Sequence, residues 1–180
     1  YTGAIIGNAS LTKYGKGKLT LNDGNLNWYG DTYLHAGSII AKGATSFGRG
    51  DIYVYGGTLD LKSKAVMNDV VLEGNAVIKG GKKYTGNFTL AGGELMKGSS
   101  LSIAGNAELA SGTVNGTLSG VGTVAVTGDV FLNTKGKITA YNLDITGALS
   151  ASSKGLAMNT KTSAIPIDGG SLSSAGKVSA

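Results

Sequence analysis

Four segments of this chain can be laid over one another: TYLHAGSII at 32–40, IYVYGGTLDL at 52–61, VVLEGNAVI at 70–78 and FTLAGGELM at 88–96. Each has an apolar residue, one intervening residue, a small pivot, and then apolar residues again. The pivots are Ala36, Gly56, Gly74 and Gly92, so the steps are about 20, 18 and 18 residues. Alternation with period two means extended strands with one buried face. The predicted inward residues are Leu34, Val54, Leu72 and Leu90 before the pivot, and Ile39, Leu59, Val77 and Leu95 after it. A step of this size is close to one coil of a three-stranded parallel β-helix, in which each coil repeats the inward positions of the last. The strands, at about 3–5 residues, are shorter than sandwich strands and lack hairpin patterning. The predicted fold is therefore all-β, a parallel β-helix of about 7–9 rungs.

The pattern continues more loosely at Leu101/Ile103, Ala107/Leu109, Val124/Val126, Val130/Leu132 and Leu143/Ile145, with Gly105, Gly128 and Gly147 as later pivots. Residues 151–164 lack a 3.6-residue apolar period and read as a loop or a ragged last rung. Ile165-Pro166-Ile167 reads as a short edge strand, since proline cannot donate to a ladder. Residues 168–180, rich in Gly and Ser, read as a terminal rung or tail. No linker interrupts the pattern, so residues 1–167 form a single element. The chain opens at Tyr1 in mid-pattern, which reads as a segment of a longer protein.

Composition narrows the alternatives. The 180 residues include 31 Gly and 1 Pro, without the triplet period of collagen. With 41% hydrophobic and 15% charged residues the chain is not of the disordered class. It has no Cys, which excludes disulfides, thiolate metal sites and a cysteine nucleophile. The net charge of +5 comes from singly scattered lysines, with Arg49 the sole arginine, and so argues against a nucleic-acid interface. No apolar run reaches the roughly 20 residues of a membrane helix, so no direct membrane insertion is expected.

One stretch is more specific. Leu11, Lys13, Gly15, Gly17, Leu19 and Leu21, then Asn25, then Gly30 and Thr32, then Gly37, stand at spacings that resemble the passenger-associated repeat of bacterial autotransporters. Tyr29 and Gly30 are adjacent here, where that repeat separates them. The segment 48–59 resembles the one that closes the repeat, so the resemblance covers about residues 3–61. It implies a right-handed parallel β-helix, secreted by the type V route of Gram-negative bacteria and displayed at the cell surface or shed. The expected role is a non-catalytic stalk that presents an effector domain and assists export and folding. Its expected partner is the translocator β-barrel of the same protein. Alternatives are an adhesin segment that binds a receptor on host or neighbouring cells, and a stalk joined to a subtilisin-like protease. No cofactor is implied.

Individual residues carry weaker signals. Arg49-Gly50-Asp51 spells an integrin-binding tripeptide, active when displayed at a loop tip; it also fits a plain Gly-rich turn before a strand. His35, the only histidine, has the parity of an outward position and lacks the partners of a catalytic base or metal pair. Asp23, Asp31, Asp51 and Asp60 would need to pair about 5–9 Å apart to act as glycosidase carboxylates. Asn22-Asp23-Gly24-Asn25 is a minimal calcium-like loop without the repeat that calcium-binding β-rolls use. Tyr14, Trp28, Tyr29, Tyr33, Tyr53 and Tyr55 concentrate aromatic rings in the first third, either stacked rung on rung or offered as a carbohydrate or protein contact.

Overall fold

The structure is a computed structural model that describes residues 3–62, 65–80, 83–84, 86–120, 122–133, 135–152, 156–160, 170–174 and 178–179. The alternating segments form strands that pair in parallel and stack into a β-solenoid of about seven turns, with no helix among the described residues. Two faces begin as separate strands: β1 (Leu11–Lys13) and β2 (Lys18–Leu21), then β3 (Thr32–Leu34) and β4 (Ser38–Ala41). In the middle coils one bent strand serves both faces and a short strand adds a third side. These are β5 (Ile52–Asp60), β6 (Ala65–Val66), β7 (Val70–Lys79), β8 (Lys83–Tyr84), β9 (Phe88–Leu95), β10 (Ser100–Ile103), β11 (Ala107–Val114), β12 (Thr117–Gly120), β13 (Thr123–Leu132) and β14 (Lys137–Ala140). The last coils divide again into β15 (Asn142–Ile145), β16 (Ala148–Ala151), β17 (Leu156–Thr160), β18 (Ser171–Ser174) and β19 (Val178–Ser179).

Register turns the sequence repeat into columns. On the first face Lys13, Leu34, Val54, Leu72, Leu90, Leu109, Val126 and Ile145 lie one above another. On the second, Leu19, Ile39, Leu59, Ile78, Leu95, Val114, Leu132 and Ala151 do the same. The third side stacks Leu101, Leu118, Ile138 and Met158. Most of these side chains are buried in one continuous core, and each full burial of a Leu, Ile or Val stabilises by roughly 1.5–3 kcal/mol. At about 4.8 Å per coil, seven coils make a rod of roughly 34 Å.

Three details differ from the sequence reading. Five strands run eight to ten residues, because the chain bends without leaving the ladder. The inward residue after Gly74 is Ile78, not Val77: the bend in β7 absorbs one extra residue, so Leu59 pairs with Ile78. Gly105 lies in the turn between β10 and β11, and the bend of β11 falls at Ser111 instead. Within 151–164 the chain forms a rung strand, β17, which pairs with β14. Residues 171–174 likewise form a strand paired with β16, whereas Ile165-Pro166-Ile167 lies outside the described residues.

The first coils close their third side with turns. Residues 43–50 form one continuous turn, and Gly7 makes a single bridge to Trp28. Trp28 and Phe47 are fully buried there, alongside the polar Asn25, Ser46 and Asn68.

Candidate functional site

Four of the repeat residues, Lys13, Gly15, Gly17 and Gly37, meet at the corner between β1 and β2. Lys13 stands in the column that Leu34 and Val54 fill in the next coils. Its ammonium donates to the carbonyls of Tyr14 and Gly15, both at 2.6 Å, and of Ala36 at 3.2 Å. Three N–H donors thus meet three carbonyls, which is the full capacity of a lysine. Gly37 crosses directly over this corner with φ +79°, and a Cβ there would collide with the Gly15 and Gly17 carbonyls. The K-x-G-x-G spacing therefore gathers carbonyls, caps them with one cation, and lets the next coil pass at backbone distance.

Asn25 performs a second such task. Its amide oxygen accepts from the Ile5 N–H at 2.8 Å, and its amide nitrogen donates to Ser46 O at 2.8 Å and Asn22 O at 3.1 Å. Buried at 1% exposure, it joins three consecutive passes of the chain. Trp28 adds an indole N–H bond to Ala9 O at 2.7 Å. Gly30 lies against the Ala9 carbonyl with no room for a side chain. Thr32 is buried with its hydroxyl unpaired, Leu21 is buried, and Leu11 and Leu19 pack partly against the core.

The outward face of the same coils carries aromatic rings. His35 is exposed and stacks between Tyr14 at 4.6 Å and Tyr55 at 5.0 Å, ring centre to ring centre. Tyr33 stacks on Tyr53 at 5.2 Å. Tyr33 on β3 and His35 just after it, two residues apart, share outward parity, so the rings form two parallel columns along the rod. The rings stack rung on rung, as one of the two sequence readings has it, and they do so on the surface.

Beside them runs a column that the sequence reading missed. An Asp or Asn stands one residue before the inward start of successive coils: Asp31, Asp51, Asp69, Asn87 and Asn106. Each linked pair shares a carboxylate or amide oxygen with the next coil's backbone. The Asp51 N–H donates to Asp31 Oδ1 at 2.9 Å, Asn87 N–H to Asp69 Oδ1 at 2.7 Å, Asn106 N–H to Asn87 Oδ1 at 3.0 Å, and Thr123 N–H to Asn106 Oδ1 at 3.0 Å. The signal was present once per coil, but a search for carboxylates alone could not see a column continued by asparagines.

Of the acids considered from sequence, Asp31 and Asp51 are therefore neighbours. Asp23 instead accepts from the Thr45 N–H at 2.8 Å, and Asp60 lies on the other face with two lysines. Burial pushes the Asp51 carboxyl up, and the charges of Asp69 and Asp31 add to it, against a hydrogen bond with Tyr53. The Tyr33 hydroxyl, donating to Asp31 at 3.1 Å, is raised chiefly by that bond. A carboxylate raised in the fold penalises the folded state above that raised value, and the penalty fades as pH falls toward the unfolded value of about 3.9. Asp51→Asn, which keeps a side-chain oxygen at this position and removes its charge from between Asp31 and Asp69, is expected to raise the melting temperature by a few degrees at pH 7. Thermal scans against pH should show that gain vanishing below about pH 4.

Arg49-Gly50-Asp51 is folded into the wall of the coil. The Arg49 N–H bonds Trp28 O at 2.8 Å, its Nε bonds Leu26 O at 2.9 Å, and its guanidinium lies 5.8 Å from the Tyr29 ring centre. Gly50 packs on the Gly30 carbonyl, where no Cβ fits. The tripeptide thus occupies the turn that leads into β5. Among the described residues no three His, Cys, Asp or Glu side chains are grouped so that they could hold a metal ion. Compared with known proteins, the chain matches no family, no curated protein and no solved structure.

Proposed function

We propose that this chain is a β-helical stalk segment of a bacterial autotransporter passenger, non-catalytic itself, presenting an effector domain outside the cell and assisting export. One observation carries the reading: the repeat residues are occupied in holding the first coils together. Lys13 caps three carbonyls, Asn25 joins three passes of chain, and Gly37 admits the next coil. A motif used that way serves assembly of the rod. A rod in which each coil rests on its neighbours can fold progressively as it emerges from a translocator barrel. The absence of Cys suits passage of an unfolded chain.

The test is display. The chain is placed between a reporter domain and a heterologous translocator barrel in a Gram-negative host, with an unstructured linker of equal length as comparison. The expected result is more reporter at the surface than with the linker, carried on a protease-resistant stalk. Equal display with the linker, or retention in the periplasm, overturns the proposal. The exposed columns of Tyr14, His35 and Tyr55 and of Tyr33 and Tyr53 favour a second reading, an adhesin segment, whose sign would be cell binding lost on Tyr14→Ser.

A further inference from the structure

On the second face a groove is lined by Lys18, Ser38, Thr58, Asp60, Lys62 and Lys79. Its floor is Asp60, 4% exposed, and one oxygen of that carboxylate holds two ammonium groups: Lys62 Nζ at 3.0 Å and Lys79 Nζ at 3.3 Å. The Lys62 N–H also donates to the other oxygen, at 3.0 Å. Burial would raise the Asp60 carboxyl, but the Lys62 backbone bond and the two lysines outweigh it and hold it below its ordinary range. Asp60 therefore stays ionised and keeps both lysines in place. Lys18 lines the same groove, so its lining carries three lysines and one carboxylate. Ser38 and Thr58, one coil apart in the ladder, add hydroxyls along the groove.

We propose that this groove is a binding site for an acidic polysaccharide, laid along the rod axis with its sulfate or carboxylate groups on Lys18, Lys62 and Lys79. Three features set the ligand class. The groove has a surplus of positive charge, supplied by lysines that act as point charges rather than as the planar forks suited to base edges. The Ser and Thr hydroxyls match the hydroxyls of a sugar. The coil rise of about 4.8 Å is close to the advance of one pyranose residue in an extended glycan, so successive sugars meet successive coils in the same way. This site is independent of the stalk role and of the aromatic columns on the first face.

The probe is a sulfated hexasaccharide of the heparin type, titrated calorimetrically into the folded chain at low and moderate salt. Binding is expected to weaken about tenfold in the double variant Lys62→Gln/Lys79→Gln and about threefold in Lys18→Gln. Lys18→Gln leaves the Asp60 pairs intact and so reports on the groove even where the double variant is destabilised. The charge-matched pair Lys135→Gln/Lys137→Gln, at the start of the third-side strand β14, is expected to change affinity less than twofold. An unsulfated hexasaccharide of equal length should bind far more weakly, and a short DNA duplex less tightly than the sulfated glycan. Equal losses in both lysine pairs would show diffuse attraction to a basic protein and overturn the site. No measurable binding, or tighter binding of the duplex, would equally overturn the proposal.

Discussion

Gly37→Val is expected to destabilise the fold by about 4 kcal/mol, combining left-handed backbone strain with overpacking against main chain. The residue has φ +79°, a region a β-branched side chain avoids, and its Cβ would meet the Gly15 and Gly17 carbonyls with the Lys13 ammonium 2.9 Å away. None of the carbonyls can yield without breaking the corner that Lys13 caps. Gly17→Val in the same motif is the internal comparison. Gly17 is exposed, and a Cβ added there meets nothing within 4 Å. It should shift stability by no more than about 0.5 kcal/mol. Denaturant midpoints of the two variants check the difference, and equal effects would mean that the corner does not depend on close passage of the next coil.

Trp28→Ala is expected to cost a further class of energy, about 4 kcal/mol from the cavity and lost transfer, with the Ala9 carbonyl left unpaired as well. For a chain of this size that is a fall of roughly 8–16 °C in melting temperature. Trp28 has 0% exposure and fills the third side of the first coils, where turns replace strands. Its loss cannot be made good by ladder pairing. Because it is the only tryptophan, its fluorescence in the unmutated chain reports the same region. The emission should be that of a buried indole and should shift red when the first coils open. Trp28→Phe should recover part of the loss. A melting temperature unchanged by Trp28→Ala would show that these coils are not packed as described.

The ease of reading differed between parts of the molecule for physical reasons. Leu34, Val54, Leu72 and Leu90 were legible because inward positions recur every coil with period two. Ile78 was not, because a bend at glycine lets one extra residue enter without disturbing the next coil. The strand β17 read only as a loop or a ragged rung because Leu156–Thr160 is short and set among Ser and Thr, and its placement comes from the edge offered by β14. The K-x-G-x-G motif was visible as spacing, but the role of Lys13 rests on three carbonyls brought together only by the fold. The Asp and Asn column and the lysine groove needed register, since their members are about 17–21 residues apart in sequence and adjacent only after coiling.

Stability resides in contacts between neighbouring coils, which is what the proposed folding during export would require. Amide hydrogen exchange at low denaturant, followed residue by residue, resolves those contacts coil by coil. Separate openings are expected: amides of β1 to β4 should exchange together, with lower free energy and smaller denaturant dependence than those of β7, β9 and β11 in the middle of the ladder. Exchange of all protected amides through one global unfolding, with a single free energy and a single denaturant dependence, would contradict it.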